Sequence, residues 1–369
     1  MSKRHIIQVS SYYPPHLGGQ ENAVHGLVRQ LARAGHAVQV FTSARGSIKG
    51  RTSEDGAIVH RLASFVFGHA PIMPAFPLAL LRAIRTGTVV HIHIGQAFTP
   101  EMVWLVSKLR HFTYVAQLHI DFEPSGPAGI LLPLYKRLIL QHVLRSAGAV
   151  ITLNQKTLRT VRETYGYTGR AQVMNNGIDE AFFELGRAAL KPKPPKTLHL
   201  LFVGRLSKQK NVPALLKALF LTKRRVHLDI IGEGEERAAI EQAIADLKLT
   251  NVTLHGRLER AEVMKFYKTC DALIMPSLYE AQPLVLLEAM AARIPIIGTA
   301  VIGVEDHIEG AGIVVKPTAP GLAAGIKQYD TDYAILPRLV EEAYSRAEKL
   351  RWQHTLKEYE ALYEAVAPA

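Results

Sequence analysis

Short aliphatic runs alternate with stretches that are apolar at helical spacing along nearly the whole chain, and few folds accept that pattern. "HIIQVS" precedes "NAVHGLVRQLARAG", and "AVQVFT" follows. "VVHIHI", "EMVWLVSKLR", "TYVAQLHI", "LLPLYKRLILQHVLRS" and "GAVITL" continue the alternation. Aliphatic strands separated by helices belong to parallel sheets covered on both faces. The stretch "GRAALKPKPPKT" at 186–197 breaks the rhythm with proline and lysine and reads as a stiffened linker. Beyond it "LHLLFVGR", "NVPALLKALFL", "VHLDIIGEGEE", "RAAIEQAIADL", "NVTLHGR" and "CDALIMP" restart the pattern. The expectation is two doubly wound α/β domains, 1–185 and 198–345, joined by a linker at 186–197. Residues 346–369 add a final amphipathic helix that carries Trp352, Tyr359 and Tyr363.

The 369 residues suffice for two domains at about 150 residues each. A single cysteine, Cys270, excludes a disulfide framework and a cysteine-based metal site. The start "MSKRHIIQVSSYYPP" has too short an apolar stretch for a signal peptide, and no window offers about 18 consecutive apolar residues. A cytoplasmic protein is expected. The net charge of +12 sits unevenly: residues 1–190 carry 20 Lys and Arg against 10 Asp and Glu, and residues 191–369 carry 24 against 22. The basic first half suggests an anionic partner there, such as a membrane surface or a phosphorylated acceptor. Nucleic acid is a weaker candidate, because no recognised DNA-binding motif is present.

The stretch "EAQPLVLLEAMA" places Glu280 and Glu288 eight positions apart, between a strand-like "CDALIMPS" and a strand-like "IPIIGT". Pro283 suits the first turn of a helix, where its missing N–H costs nothing. The bare N–H groups of such a helix start bind anions. Glu280 would lie on the loop above the start and Glu288 roughly 8 Å down the axis at about 1.5 Å per residue. A ligand with a charged centre and hydroxyls at both ends fits, which describes a nucleotide-sugar.

Other candidates lie where strands end. Gly18 and Gly19 in "YYPPHLGGQEN" stand where backbone can approach a ligand, although the pattern is not G-x-G-x-x-G. Arg205 and Lys210 in "VGRLSKQKNV" would offer positive charge to a diphosphate. Gly232 in "IIGEGEER" permits a tight turn near a ligand. His91 and His93 share one strand face and are expected to pack or hydrogen-bond rather than bind metal. His119 falls where a strand gives way to a loop, the ligand side of an open α/β sheet.

Together these pieces resemble the retaining family 4 glycosyltransferases of the GT-B fold. "VGRLSKQKNV", "IIGEGEE", "HGRL", "PSLYEAQPLVLLEAMAARIPIIGT" and "GVEDHIEGAGIVV" carry most of the likeness, supported by "YYPPHLGGQEN", "HIHIG", "LHIDFEP" and "NNGID". The resemblance implies two Rossmann-like domains facing a central cleft, the first binding acceptor and the second nucleotide-sugar. It also implies that the final helix crosses back to the first domain. Gly18 and Gly19 would line the cleft near the donor diphosphate, and His119 would contact the transferred sugar. Arg205 and Lys210 would neutralise the diphosphate leaving group. Glu280 would hold sugar hydroxyls, the N–H groups of Leu284 and Val285 would bind phosphate, and Glu288 would take the ribose hydroxyls. Many relatives have glycine and an aromatic residue after the first glutamate, then another glycine. Here Ala281, Gln282 and Pro283 stand instead, and Pro283 offers no N–H.

The expected activity is retaining, metal-independent transfer of a hexose or N-acetylhexosamine from a nucleotide-sugar, UDP-sugar favoured, with no cofactor. The acceptor is expected to be a lipid-linked, phosphorylated molecule in bacterial glycan assembly, met by reversible contact with an anionic membrane. A soluble small acceptor, such as an aminocyclitol or natural product, is the rival. A nucleotide-sugar 2-epimerase on the same scaffold is the other alternative.

Overall fold

The computed structural model describes residues 3–16, 18–45, 49–67, 70–119, 132–185 and 194–367. The chain forms two compact units: residues 1–177 with 352–369, and residues 178–351.

The first unit holds β1 (His5–Ser10), β2 (Ala37–Ser43), β3 (Gly50–Glu54), β4 (Ala57–Leu62), β5 (Phe65–Phe67), β6 (Ala70–Ile72), β7 (Val89–Ile94), β8 (Tyr114–Leu118), β9 (Ala149–Thr152) and β10 (Arg170–Val173). Eight of these make a sheet in the order β10-β9-β8-β7-β1-β2-β4-β3, parallel except for the β3 edge. β5 and β6 form a separate antiparallel pair. The second unit holds β11 (Leu198–Val203), β12 (Val226–Ile231), β13 (Val252–Gly256), β14 (Ala272–Met275), β15 (Ile296–Thr299) and β16 (Ile313–Val315), in the order β13-β12-β11-β14-β15-β16. All its pairs are parallel. That order is the doubly wound arrangement, with its switch point between β11 and β14.

Each sheet buries apolar residues on both faces, as its aliphatic strands require. In the first, Ile7, Val9, Val90, Ile92 and Leu118 join one core cluster, and Ile6, Val38, Val89 and Val115 join another. In the second, Leu200, Phe202 and Ile274 face one cluster while Leu201, Leu273 and Met275 face the other.

The division between units falls earlier than the proline-rich stretch suggests. Residues 178–185 belong to the second unit because Ile178 and Phe182 are buried in its core, with Phe182 edge-on to Tyr267 at 5.4 Å between ring centres. Of the expected linker, 186–193 lies outside the described residues, and β11 begins at Leu198. The last segment is two helices rather than one. Leu336–Glu348 stays with the second unit, and Trp352–Val366 packs on the first. The break at 349–351 is used for pairing: the Ile178 N–H donates to Leu350 O at 2.8 Å, and Ile178 bridges to Arg351. No helix among the described residues is long and apolar enough to cross a membrane.

Candidate active site

In the second unit the loops that follow β11 and β14 flank the switch point, and they are tied together. Leu278 N–H donates to Gln209 O at 2.8 Å, and the Gln209 amide donates to Tyr279 O at 2.8 Å. Asn211, in the left-handed region at φ 52°, donates to Pro276 O at 3.0 Å. This fixed pair of loops brings Lys210 and Glu280 together across 70 positions of sequence: Lys210 Nζ lies 2.5 Å from Glu280 Oε1. Ser277 Oγ donates to the same oxygen at 2.8 Å. The two charged side chains are only 16% and 8% exposed, so the pair is largely withdrawn from water.

The helix Leu284–Ala291 begins beside them. Pro283 is its N-cap, one position earlier than the first-turn place expected for it, and supplies no side-chain cap. Its carbonyl accepts from Leu286 N–H at 3.1 Å. The N–H groups of Leu284 and Val285 are therefore the uncapped donors of this start, carrying the positive end of the helix dipole.

Glu288 lies further along the same helix, with different partners. Tyr267 Oη donates to Glu288 Oε2 at 3.1 Å and also reaches Val285 O at 3.3 Å. Burial pushes the Glu288 carboxyl up; Arg260 and the Tyr267 bond pull it back in part, and Asp179 adds to the rise. Arg260 itself pairs with Asp179. Arg205 sits in the loop after β11, 68% exposed, with its guanidinium 3.0 Å from Glu235. Gly232 stands at φ 143°, where a Cβ would meet Gly204 O at 1.9 Å; a side chain there would force the two loops apart.

The first unit carries the remaining candidates, at the carboxyl ends of β1, β7 and β8. Gly18 caps the helix Gly19–Arg33, and a Cβ on it would lie 2.2 Å from Glu21 Oε2. The room at Gly18 is thus taken by Glu21, which is buried and 3.5 Å from His16 Nδ1. A Cβ on Gly19 would meet nothing within 4 Å. His119 is buried at the end of β8, and its Nε2 lies 2.9 Å from His93 Nδ1. Burial holds the His119 ring down at about 3, so it is neutral. His91 and His93 do hydrogen-bond and pack, as expected: His91 Nδ1 meets Tyr363 Oη at 2.8 Å, and His93 Nε2 meets Gln8 Oε1 at 2.7 Å.

Sequence reasoning missed three partners. Ser277 stands three positions before Glu280, and that spacing was a readable signal. Tyr267 and Gln8 come from other elements, and only the fold joins them to Glu288 and to the histidines.

Chemically, the second unit offers an uncapped helix start, a lysine and an arginine for an anion, and two carboxylates for hydroxyls. Residues 188–346 match the family of Glycosyl transferases group 1, and residues 17–182 match Glycosyltransferase Family 4. The chain is 30% identical to a glycogen synthase of Mycobacterium tuberculosis, over 92% of this chain and 89% of that protein. It is 26% identical to a D-inositol 3-phosphate glycosyltransferase of Corynebacterium urealyticum, covering 95% and 91%. Among solved structures, Anabaena Alr3699/HepE in complex with UDP-glucose superposes with a TM-score of 0.75 at 18% identity, covering 97% and 99%, which shows a shared fold. With two Rossmann-like units of parallel sheet and these relatives, the chain is an enzyme, a glycosyltransferase of the GT-B fold that belongs to family 4.

Proposed function

We propose that this enzyme is a retaining, metal-independent transferase that moves a hexose or N-acetylhexosamine from a UDP-sugar to a phosphorylated, lipid-linked acceptor. The observation that carries the donor half is the Lys210–Glu280–Ser277 cluster beside the uncapped start of Leu284–Ala291. A diphosphate would take the N–H groups of Leu284 and Val285 and the charge of Lys210 and Arg205. Glu280 would keep Oε1 on its lysine and accept a sugar hydroxyl with Oε2. Glu288, held by Tyr267, would take the ribose hydroxyls. Gly19, open where a Cβ would stand, would let backbone approach the donor, Gly18 and Gly232 would hold the tight turns beside it, and His119 would meet the transferred sugar. The UDP-glucose named for the Anabaena structure supports a uridine donor.

In the transfer, the acceptor oxygen bonds to the anomeric carbon as the bond from that carbon to the phosphate oxygen breaks. The nucleoside diphosphate leaves with the electron pair, and the acceptor proton passes to the departing phosphate. Preorganised cations beside a developing charge are the largest single contribution such a site can make, and Lys210 and Arg205 supply them without a metal. A double displacement would need two carboxyls about 5 Å apart across the sugar. Glu280 and Glu288 have separate partners and separate tasks here, which favours front-face attack with retention.

The acceptor half rests on the first unit. On the helix Thr99–Arg110, exposed Leu105, Lys108 and Leu109 follow the i, i+3, i+4 spacing of one helical face, and Arg110 follows. Leu78 and Arg82 are exposed one turn apart on the helix Phe76–Ala83. Helices that mix aliphatic and basic residues rest on anionic lipid. The inositol phosphate in the Corynebacterium relative's name supports a phosphorylated acceptor.

The test is thermal stability with a panel of nucleoside diphosphates and their sugars, followed by NMR of the transferred sugar's anomeric centre. A ligand at about 100 times its Kd adds roughly 2.7 kcal/mol to stability. UDP and one UDP-sugar should raise Tm in the presence of chelator, and the product should keep the donor's anomeric configuration. No response to any nucleoside diphosphate, or an inverted product, defeats the reading.

A further inference from the structure

One face of the first sheet changes character along its strands. Ile6, Gln8 and Ser10 of β1, Val89, His91 and His93 of β7, and Val115 and Gln117 of β8 with His119 just beyond it share this face. Each strand starts apolar and turns polar towards its carboxyl end. On the opposite face Ile7, Val9, Val90, Ile92, Ala116 and Leu118 pack in one apolar cluster. The polar side chains are not at the surface: Gln8 and His91 are fully buried, and His93, Gln117 and His119 are nearly so. Tyr359 and Tyr363 of the helix Trp352–Val366 are buried against them. Apolar residues of similar shape would serve stability as well or better. A polar network in their place, bonded except at the buried His91 Nε2, which has no partner among the described residues, specifies something else, namely where protons and rings sit.

With the Gln8 amide turned as it stands, the bonds set the proton positions one after another. Gln8 Nε2 donates to Tyr363 Oη at 3.1 Å, so its Oε1 faces His93 Nε2 at 2.7 Å. An amide oxygen only accepts. His93 therefore carries its proton on Nε2 and, being neutral, presents a bare Nδ1. That atom lies 2.9 Å from His119 Nε2, which must supply the proton between them. Having accepted from Gln8, Tyr363 gives its own proton to His91 Nδ1 at 2.8 Å. Burial keeps all three imidazoles neutral by pushing them far below their ordinary 6.5. His119 is left with Nδ1 as its lone-pair atom. Turning the Gln8 amide over would reverse every proton in the series.

We propose that Gln8, His93 and Tyr363 are positioning residues that act through His119: they hold its proton on Nε2, so that Nδ1 is offered as an acceptor to a hydroxyl of the transferred sugar. This rests on the reading above that His119 meets that sugar. The terminal helix is then part of the catalytic apparatus through Tyr363, although Tyr363 touches no substrate.

The experiment is long-range proton–nitrogen NMR on the full chain labelled with nitrogen-15 histidine, with His119 assigned by His119→Gln. The wild type should show His119 protonated on Nε2 and bare on Nδ1. Gln8→Leu, and the milder Tyr363→Phe, should each mix or reverse that pattern. Both should lower kcat by about tenfold, the scale of one hydrogen bond to the sugar lost, with donor KM changed less than twofold. Combined with His119→Ala, either should add no further loss. A wild-type His119 protonated on Nδ1, or a pattern unmoved in both variants, overturns the proposal. If the pattern moves as expected but His119→Ala transfers at the wild-type rate, His119 is not the sugar contact, and the positioning role falls with it.

Discussion

The Lys210–Glu280 pair and the His93–His119 pair hold titratable groups out of water by opposite means. In the second unit lysine and glutamate form an ion pair 2.5 Å apart and a serine adds a further bond. In the first unit burial removes the charge and leaves neutral rings joined by single protons. A charged pair can exchange its partner for a charged ligand. A neutral chain cannot attract an ion, but it can present a donor or an acceptor in one fixed sense. The first arrangement suits a diphosphate and the second suits a sugar hydroxyl.

The comparison breaks most sharply at Lys210. Lys210→Met removes the cation and leaves Glu280 withdrawn from water without it. Transfer should fall by roughly 100- to 1,000-fold, about 3–4 kcal/mol, measured as kcat with saturating nucleotide-sugar donor. A loss under threefold would mean that the pair is merely structural.

Next come the two carboxylates. Glu288→Ala should weaken donor binding by about 1.5–3 kcal/mol, read by calorimetry, whereas Glu280→Ala should lower turnover more than affinity. Equal effects of both variants on binding and rate would erase the distinction drawn between the sugar end and the ribose end.

Acid should act on the first unit through its buried imidazoles. His91 and His119 are lowered to about 3 in the folded chain against an ordinary 6.5. The unfolded chain therefore takes up protons that the folded chain refuses. Stability is intact above about pH 6.5 and is lost as pH falls towards 3. At pH 5.5 each ring should cost about 1.4 kcal/mol relative to neutral pH. Urea unfolding at pH 7.5 and 5.5 measures this, and His91→Phe should remove one ring's share. An unchanged pH slope in that variant would contradict the neutral assignment.

The smallest effect concerns the basic surface of the first unit. Binding to anionic vesicles at low salt should weaken by about 1 kcal/mol for each of Arg82, Arg85, Lys108 and Arg110 made neutral, followed by co-sedimentation. Binding should vanish at 1 M salt, where screening shortens to about 3 Å. Equal binding to neutral vesicles would point to the exposed leucines alone.

The parallel strands were legible because their residues are aliphatic on both faces; "HIIQVS" and "LHLLFV" became β1 and β11 with little change. β3, "GRTSE", was not legible, because an edge strand half open to water needs no apolar period. Glu280 and Glu288 stood out through their spacing around a helix start. Their pairings did not, since Lys210, itself a candidate, is 70 positions from Glu280 and Tyr267 is joined to Glu288 only in the fold. The helix Glu180–Phe183 falls in the second unit rather than in the expected 1–185 domain, because a buried Phe182 looks the same in sequence whichever core it enters.

The helix Trp352–Val366 has a consequence for how the protein is made. It belongs to the first unit, yet it is translated after all of the second. Residues 178–351 are contiguous and can finish folding as they emerge. The first sheet must wait with Gln8, His91 and His93 unroofed, and with Gly26 and Gly177 open where the Trp352 ring will press against both backbones. Of the two units, the one begun first is completed last. During that interval the unfinished face, rather than the finished second unit, is what a chaperone or a protease would meet.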